Sequence, residues 1–300
     1  MWFKQLSFYP IVPGKCPDPA ALQSHLSELA FSPCLRSDWC SEGFVPPIQG
    51  RPDEMVLAVK NSIRAVLKKE EKVLPAGVIN DVVAETIREI EQNEGRVVGR
   101  KEKQNLKERI TDNLLPRAFT RSSQIQALFD TDRNLLLINQ AGATKAENML
   151  TKLRQSLGGL EAALPKTERS AGNLMTSWLN QRQAAGNFVL DSDCELKGTG
   201  ETAAVVRMGK QDLGADEVQV HLESKTVTRL GLIWADKIRF VLNADLTFKR
   251  IQFLDVLWEE ASNEGEDAET LAAAEQLIVT ENLGQMITEL IGHLGGLSKE

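Results

Sequence analysis

Residues Ser123–Leu150 read SQIQALFDTDRNLLLINQAGATKAENML, two apolar runs around a polar turn followed by a helix-like pattern. Ser123–Asp130 and Leu135–Gln140 have strand character, and Thr131-Asp-Arg-Asn134 joins them as a hairpin. Thr144-Lys-Ala-Glu147 has capping-box spacing and opens a helix that turns Ala146, Met149, Leu150, Leu153 and Leu157 inward. Strand, strand and helix in this order, with antiparallel pairing, place the chain in the α+β class.

Working outward, a related order of elements occurs nearer the start. Trp2–Tyr9 reads as a strand, and Asp18-Pro19 opens a helix with Leu22, Leu26 and Leu29 on one face. Phe31–Gly50 is rich in Gly and Pro and reads as a loop; Met55–Lys60 and Ser62–Lys69 then form two strands hinged at Asn61-Ser62. Between the two β groups, Val78–Gln92 and Lys101–Leu115 form a polar helical pair bracketed by Pro75 and Pro116. Few apolar residues serve that pair, so it is expected to project as an arm. Beyond a polar linker at Pro165–Gly172 come a helix at Leu174–Ala185, a strand at Ala203–Met208 and a short helix at Asp216–Glu223. Thr226–Trp234, Lys237–Leu242 and Leu246–Phe253 form a β-meander, followed by an acidic helical region with an apolar stripe from Leu283 to Leu294. The expected organisation is a central domain of residues 1–74 and 117–164, a helical tip at 75–116 and a base domain at 165–300.

The chain has 300 residues, 42% hydrophobic and 26% charged, which excludes a disordered chain, a collagen or a disulfide scaffold. No apolar run approaches the roughly 20 residues that span a bilayer. Lys4, Gln5 and Ser7 interrupt the stretch a signal peptide would need, so a cytoplasmic protein without membrane contact is expected. Cys16, Cys34, Cys40 and Cys194 form no C-x-x-C pair and read as reduced thiols.

Net charge is −7, but it is segregated. Asp255–Glu300 carries eleven acidic residues against Lys299, leaving a net +3 for residues 1–254. Arg96–Arg121 carries eight basic residues against three acidic ones. One anion-facing surface would produce such a distribution.

The inventory for catalysis is thin. His25, His221 and His293 stand in no metal-ligand spacing, and neither a nucleophile elbow nor a Walker loop is present. No cofactor or metal is therefore expected. Gly198-Thr-Gly-Glu-Thr-Ala203 matches G-x-G-x-x-A but leads into a strand, whereas a dinucleotide site needs a following helix, so it reads as a turn. Asp130-Thr-Asp132 and Asp191-Ser-Asp193 could serve a metal-dependent nuclease, yet as turn residues they are better suited to capping backbone amides.

The stronger constellation is basic. Arg100, Lys103 and Lys107 recur at i, i+3, i+7 on one helix face beside Leu106 and Ile110; a solvated outer face is the plain alternative. In Pro116-Arg-Ala-Phe-Thr-Arg121, Arg117 and Arg121 flank Phe119. That ring could be a core residue, a base-stacking platform or an interface anchor, and the sequence by itself favours burial in the core.

At these residues the chain resembles the RdgC family of bacterial recombination-associated proteins. The matching stretches are Trp2-Phe-Lys4, Phe31-Ser-Pro-Cys34, Gly43-Phe-Val-Pro-Pro47, Lys69-Glu-Glu-Lys-Val-Leu-Pro75, Leu115-Pro-Arg-Ala-Phe-Thr-Arg121, Lys210-Gln-Asp-Leu213 and Ile238-Arg-Phe-Val241. The resemblance implies a non-enzymatic protein that binds double-stranded DNA with little sequence preference and restrains the RecA recombinase. It further implies a nucleoid-associated homodimer of horseshoe-shaped subunits closing a ring with a positively charged hole. By position, Phe119 corresponds to the family's interface phenylalanine, and Lys210 with Gln211 to its functional pair at the second contact. Gly209 stands where some members carry another basic residue. The cations expected to meet DNA are Arg96, Arg100, Lys101, Lys103, Lys107, Arg117, Arg121 and Lys210, together with Gln211. Two alternatives remain: a metal-dependent nuclease, and a protein-only adaptor binding the recombinase through its acidic C-terminal region.

Overall fold

The computed structural model describes residues 2–198, 203–263 and 267–298. In chain order the elements are β1 (Gln5–Pro10), α1 (Pro19–Glu28), β2 (Cys40–Val45), β3 (Val56–Val59), β4 (Ser62–Val73), α2 (Ala76–Glu94), α3 (Arg100–Leu114), β5 (Phe119–Asp130) and β6 (Leu135–Ile138). They continue with α4 (Ala143–Leu157), α5 (Ala171–Asn180), β7 (Phe188–Gly198), β8 (Val205–Met208), α6 (Asp216–Leu222), β9 (Lys225–Trp234), β10 (Ile238–Asn243), β11 (Phe248–Phe253), α7 (Asp255–Asn263) and α8 (Ala268–His293). The class is α+β, built on antiparallel strands.

Two compact units emerge. The larger comprises Met1–Glu28, Pro46–Ala65 and Ile125–Glu300; the smaller comprises Leu29–Val45 and Val66–Gln124.

In the larger unit the strands follow the order β5-β6-β1-β11-β10-β9-β7-β8. The hairpin read from the sequence is present: Ala127 pairs with Ile138 and Asp130 with Leu135, and Asn134 takes a left-handed φ of 53° in the turn. Every residue of β6 is buried, because β1 pairs along its other edge from Ser7↔Ile138 to Pro10↔Leu135. Strand alternation separates two faces of the meander. Leu230, Leu232, Trp234, Ile238, Phe240, Leu242 and Phe248 turn inward and share a core with Met175 and Leu179 of α5 and with Val279, Leu283, Met286, Ile287 and Leu290 of α8. Arg229, Arg239 and Lys249 occupy the other parity and are exposed.

Several local expectations are corrected. The helix expected from Thr144 starts at Ala143 after Gly142, without a side-chain cap, and Glu147 pairs instead with Arg154 at 2.9 Å. Asp18 does cap α1, accepting the Ala21 N–H at 3.0 Å. The supposed linker ends inside α5, which Ser170 caps by accepting the Asn173 N–H. The meander also has a strand that the sequence reading missed, β7, whose Asp191-Ser-Asp193 segment looked like a turn.

In the smaller unit β2 pairs with β4 from Cys40↔Glu71 to Val45↔Val66, inside the stretch read as a loop. The A Cβ there would lie 2.5 Å from the Phe31 Cα, where the Phe31 N–H bonds the Phe44 carbonyl. α2 and α3 form an antiparallel pair over a small core of Ile79, Val83 and Ile110, supported by Val82, Ile87 and Leu114. Gly95 ends α2 in the left-handed conformation and donates its N–H to the Glu91 carbonyl at 3.0 Å.

Candidate nucleic-acid interface

α3 displays the basic residues that the sequence singled out. Leu106 and Ile110 are buried, while Arg100, Lys101, Lys103 and Lys107 are exposed or half-buried and make no ion pair among the described residues. Their i, i+3, i+7 spacing therefore yields an open cationic row. Arg96 behaves differently. In the α2–α3 connection it bonds Glu94 at 2.6 Å and both oxygens of Glu102 at 2.6 Å, which raises its already high pKa and lowers that of Glu102. It fastens the connection more than it offers charge outward. Arg117 is exposed in the short 3-10 turn Leu115–Arg117, and Arg121 on β5 reaches Glu71 at 3.4 Å.

Phe119 overturns the expectation of core burial. It stands at the start of β5 and is 86% exposed, on a stretch where every residue through Gln124 is exposed. An aromatic ring left in water at the end of a regular strand has no role in this monomer's packing.

Lys210 and Gln211 lie in the larger unit, just beyond β8. Lys210 adopts a left-handed φ of 57°, a conformation uncommon for a side chain of its size. Its N–H points to Asp193 Oδ1 at 3.4 Å, and the Gln211 N–H bonds the Ser192 carbonyl at 3.1 Å. Gly209 fits this corner because a Cβ would come within 3.2 Å of the same Asp193 oxygen.

Beside them lies a cationic groove that no sequence window revealed. About 690 Å³ in volume, it runs over the outer face of β8, β7, β9, β10 and β11. Arg207, Lys210, Arg229, Arg239, Lys249 and Arg250 line it, with Asp191, Asp193 and Glu195 among them. Register explains the convergence. Glu195 is opposite Arg207 on β8 and Arg229 on β9, Val241 is opposite Lys249, and Arg239 is opposite Gln252. Two bulges shape the face. β11 carries one extra residue against Phe240, with Arg250 at φ 52°, and Asp191–Asp193 bulge out of β7 over Gly231, where a Cβ would lie 3.1 Å from the Asp193 carbonyl oxygen. The available signal was the parity of the meander, in which Arg229, Arg239 and Lys249 all occupy outward positions.

Other candidates resolve plainly. Asp130 is buried and accepts from the Arg133 N–H at 3.1 Å and from its guanidinium at 2.9 Å, while Asp132 accepts from the Asn61 amide at 2.9 Å. The G-x-G-x-x-A segment lies partly outside the described residues. Among the described residues no group of three or more His, Cys, Asp or Glu is placed to hold a metal ion, and no helix is long and apolar enough to cross a membrane.

Comparison with known proteins agrees along the whole chain. A family model described as "Putative exonuclease, RdgC" matches residues 1–297. The chain belongs to the RdgC family. A recombination-associated protein RdgC of Neisseria gonorrhoeae is 56% identical over 297 residues, covering 99% of each chain. The RdgC proteins of Laribacter hongkongensis and Psychromonas ingrahamii are 46% and 37% identical over the same share of each chain. The names of these relatives link the family to recombination, while the family model's description names a nuclease activity.

Proposed function

We propose that this RdgC-family protein binds double-stranded DNA through phosphate contacts, as a homodimeric ring, and restrains RecA-mediated recombination without catalysing a reaction. The cationic groove on the outer face of the meander carries this reading. Its six basic residues come from strands and turns on one rigid sheet, a surface suited to a polyanion. No helix stands in it to read base edges, so affinity would come from counterion release, with little dependence on sequence. The open row on α3 adds a second cationic surface.

Exposed Phe119 and the Lys210–Gln211 corner are the proposed contacts between copies. Two distinct self-complementary contacts per horseshoe-shaped subunit would close a dimer about twofold axes. Such a ring, nucleoid-associated and threaded on duplex, obstructs a recombinase filament.

The adaptor alternative needs free carboxylates near the C-terminus, yet several of those on α8 are engaged within the fold. Glu269 pairs with Arg51, Glu281 accepts from Arg133 at 2.7 Å, and Glu289 accepts from Trp234 at 2.8 Å and from the Asn187 backbone at 2.7 Å.

The test is fluorescence anisotropy with several unrelated labelled duplexes across a salt series. Similar affinities and a steep linear fall of log K with log salt are expected; absence of binding overturns the reading. Adding the protein to a RecA strand-exchange assay should slow it in proportion to bound duplex. Incubation with plasmid and Mg²⁺ should leave the plasmid intact, and nicking or degradation would instead support the nuclease alternative.

A further inference from the structure

The groove's carboxylates are organised against its arginines. Glu195 accepts from Arg207 Nε at 2.6 Å and from Arg229 at 3.4 Å, and the Thr228 hydroxyl bonds it at 3.1 Å. Asp191 lies 3.3 Å from Arg239 Nε, and Asp193 lies 2.7 Å from Arg250. Three carboxylates from one strand thus meet four arginines from β8, β9, β10 and β11. Lys210 and Lys249 have no ion-pair partner among the described residues.

This arrangement is held in place at a structural cost. Asp191 and Asp193 reach the outer face through the bulge in β7, and Asp193 lies between two residues in the left-handed conformation, Arg250 and Lys210. Strained backbone at one carboxylate is a pattern that functional sites share. Ordinary cross-strand pairing explains Glu195 between its two arginines, but it does not require a bulge that brings two more acids to the same surface.

We propose that Asp191, Asp193 and Glu195 are internal stand-ins for DNA phosphates, and that duplex binds this face by exchanging phosphate oxygens for these carboxylates on the arginines. The proposal rests on the DNA-binding reading above and adds that the groove limits its own affinity. The carboxylates keep the guanidinium groups oriented in the absence of DNA. They also subtract charge when DNA arrives, so the complex is weaker and less salt-sensitive than six cations would make it. A protein that must move along duplex gains from such exchange, because every arginine that lets go of a phosphate has a carboxylate to return to.

The experiment uses the full chain with Asp193→Asn and Glu195→Gln together, isosteric changes that keep hydrogen-bond acceptors and remove charge. Anisotropy with a labelled duplex should show binding about tenfold tighter at low salt, and a log K against log salt slope steeper by about one unit per carboxylate removed. Lys249→Gln, which removes an uncompensated cation, should weaken binding more than Arg250→Gln, whose charge Asp193 already meets. Unchanged or weaker binding by a double variant that melts like the parent overturns the proposal and makes the carboxylates scaffolding, while leaving the DNA-binding reading intact. If the double variant melts early, Asp193→Asn alone carries the test, with a slope change of about one unit expected and an unchanged slope overturning the proposal. A parent protein that binds no duplex at any salt removes both readings together.

Discussion

The two cationic surfaces of this protein are built in opposite ways. On α3 the charges come from one helix, are adjacent in sequence, and stand in water without partners. On the meander they come from several strands and the turn after β8, up to 43 positions apart between Arg207 and Arg250, and most face a carboxylate. Helical cations on flexible stems offer affinity at little cost in organisation, whereas sheet cations held by register and ion pairs offer a fixed geometry. The comparison separates how much charge a surface carries from how much it can use.

The largest expected effect tests whether the meander's two faces are independent. Phe240→Ala empties a core position that is 1% exposed and should cost about 3–5 kcal/mol of stability. Its neighbour Arg239 points to the other face, so Arg239→Ala should change stability by about 1 kcal/mol or less while weakening duplex binding. Chemical denaturation and anisotropy on the pair provide the check; equal losses of stability would mean that the ionic face helps to hold the sheet.

Next comes Phe119, the exposed ring of the smaller unit. Phe119→Ala should leave denaturation unchanged and weaken self-association by about 2 kcal/mol or more, roughly thirtyfold, if the ring anchors an interface between copies. Sedimentation of parent and variant over a concentration series measures it. A stability loss with unchanged association would return Phe119 to a structural role.

These residues also show where legibility ended. The Ser123–Asp130 hairpin, α1, the polar helix pair and the meander could be read because their signals are local: alternation, a capping Asp, helical spacing. Phe119 could not be placed, since an apolar residue in a strand fits core and interface equally well, and only the packing around it tells them apart. β7 was lost because Asp191-Ser-Asp193 has turn chemistry inside a strand, and β2 because Gly43 looked like punctuation although it permits a close crossing. The α3 row was visible as spacing. The sheet groove was not, because its members meet only when register sets Glu195 opposite both Arg207 and Arg229.

A third prediction sets the two surfaces against each other through salt. Replacing Arg100, Lys103 and Lys107 with Ala removes three unpaired cations and should flatten the log K against log salt slope by up to about one unit for each phosphate that the variant no longer neutralises. Replacing Arg207, Arg229 and Arg239 should flatten it less, since Glu195 and Asp191 already offset those charges. An unchanged slope for the α3 variant would assign that row to a solvated outer face; an equal change for both would show that the carboxylates leave the groove entirely when DNA binds.

The smallest effect concerns acid, and it compares one carboxylate on each unit. Glu195, whose side chain is 14% exposed, has its pKa lowered chiefly by the Arg207 hydrogen bond, with Thr228, Arg229 and the Arg207 charge adding to it. Glu71 in the smaller unit is lowered first by Lys69 and then by Arg121, but its side chain is 37% exposed and solvent weakens the pairing. For both groups the folded form holds its proton less tightly than the unfolded chain. The stabilisation is therefore complete above the unfolded pKa, near 4.5, and disappears as pH falls through the lower folded value. Melting temperatures followed from neutral pH downward should fall less steeply for Glu195→Gln than for the parent in that acid window, and Glu71→Gln should follow the parent more closely. If Glu71→Gln flattens the acid limb as much as Glu195→Gln does, the sheet's ion pairs are no better organised than an exposed strand pair, and the contrast between the two surfaces reduces to charge number alone.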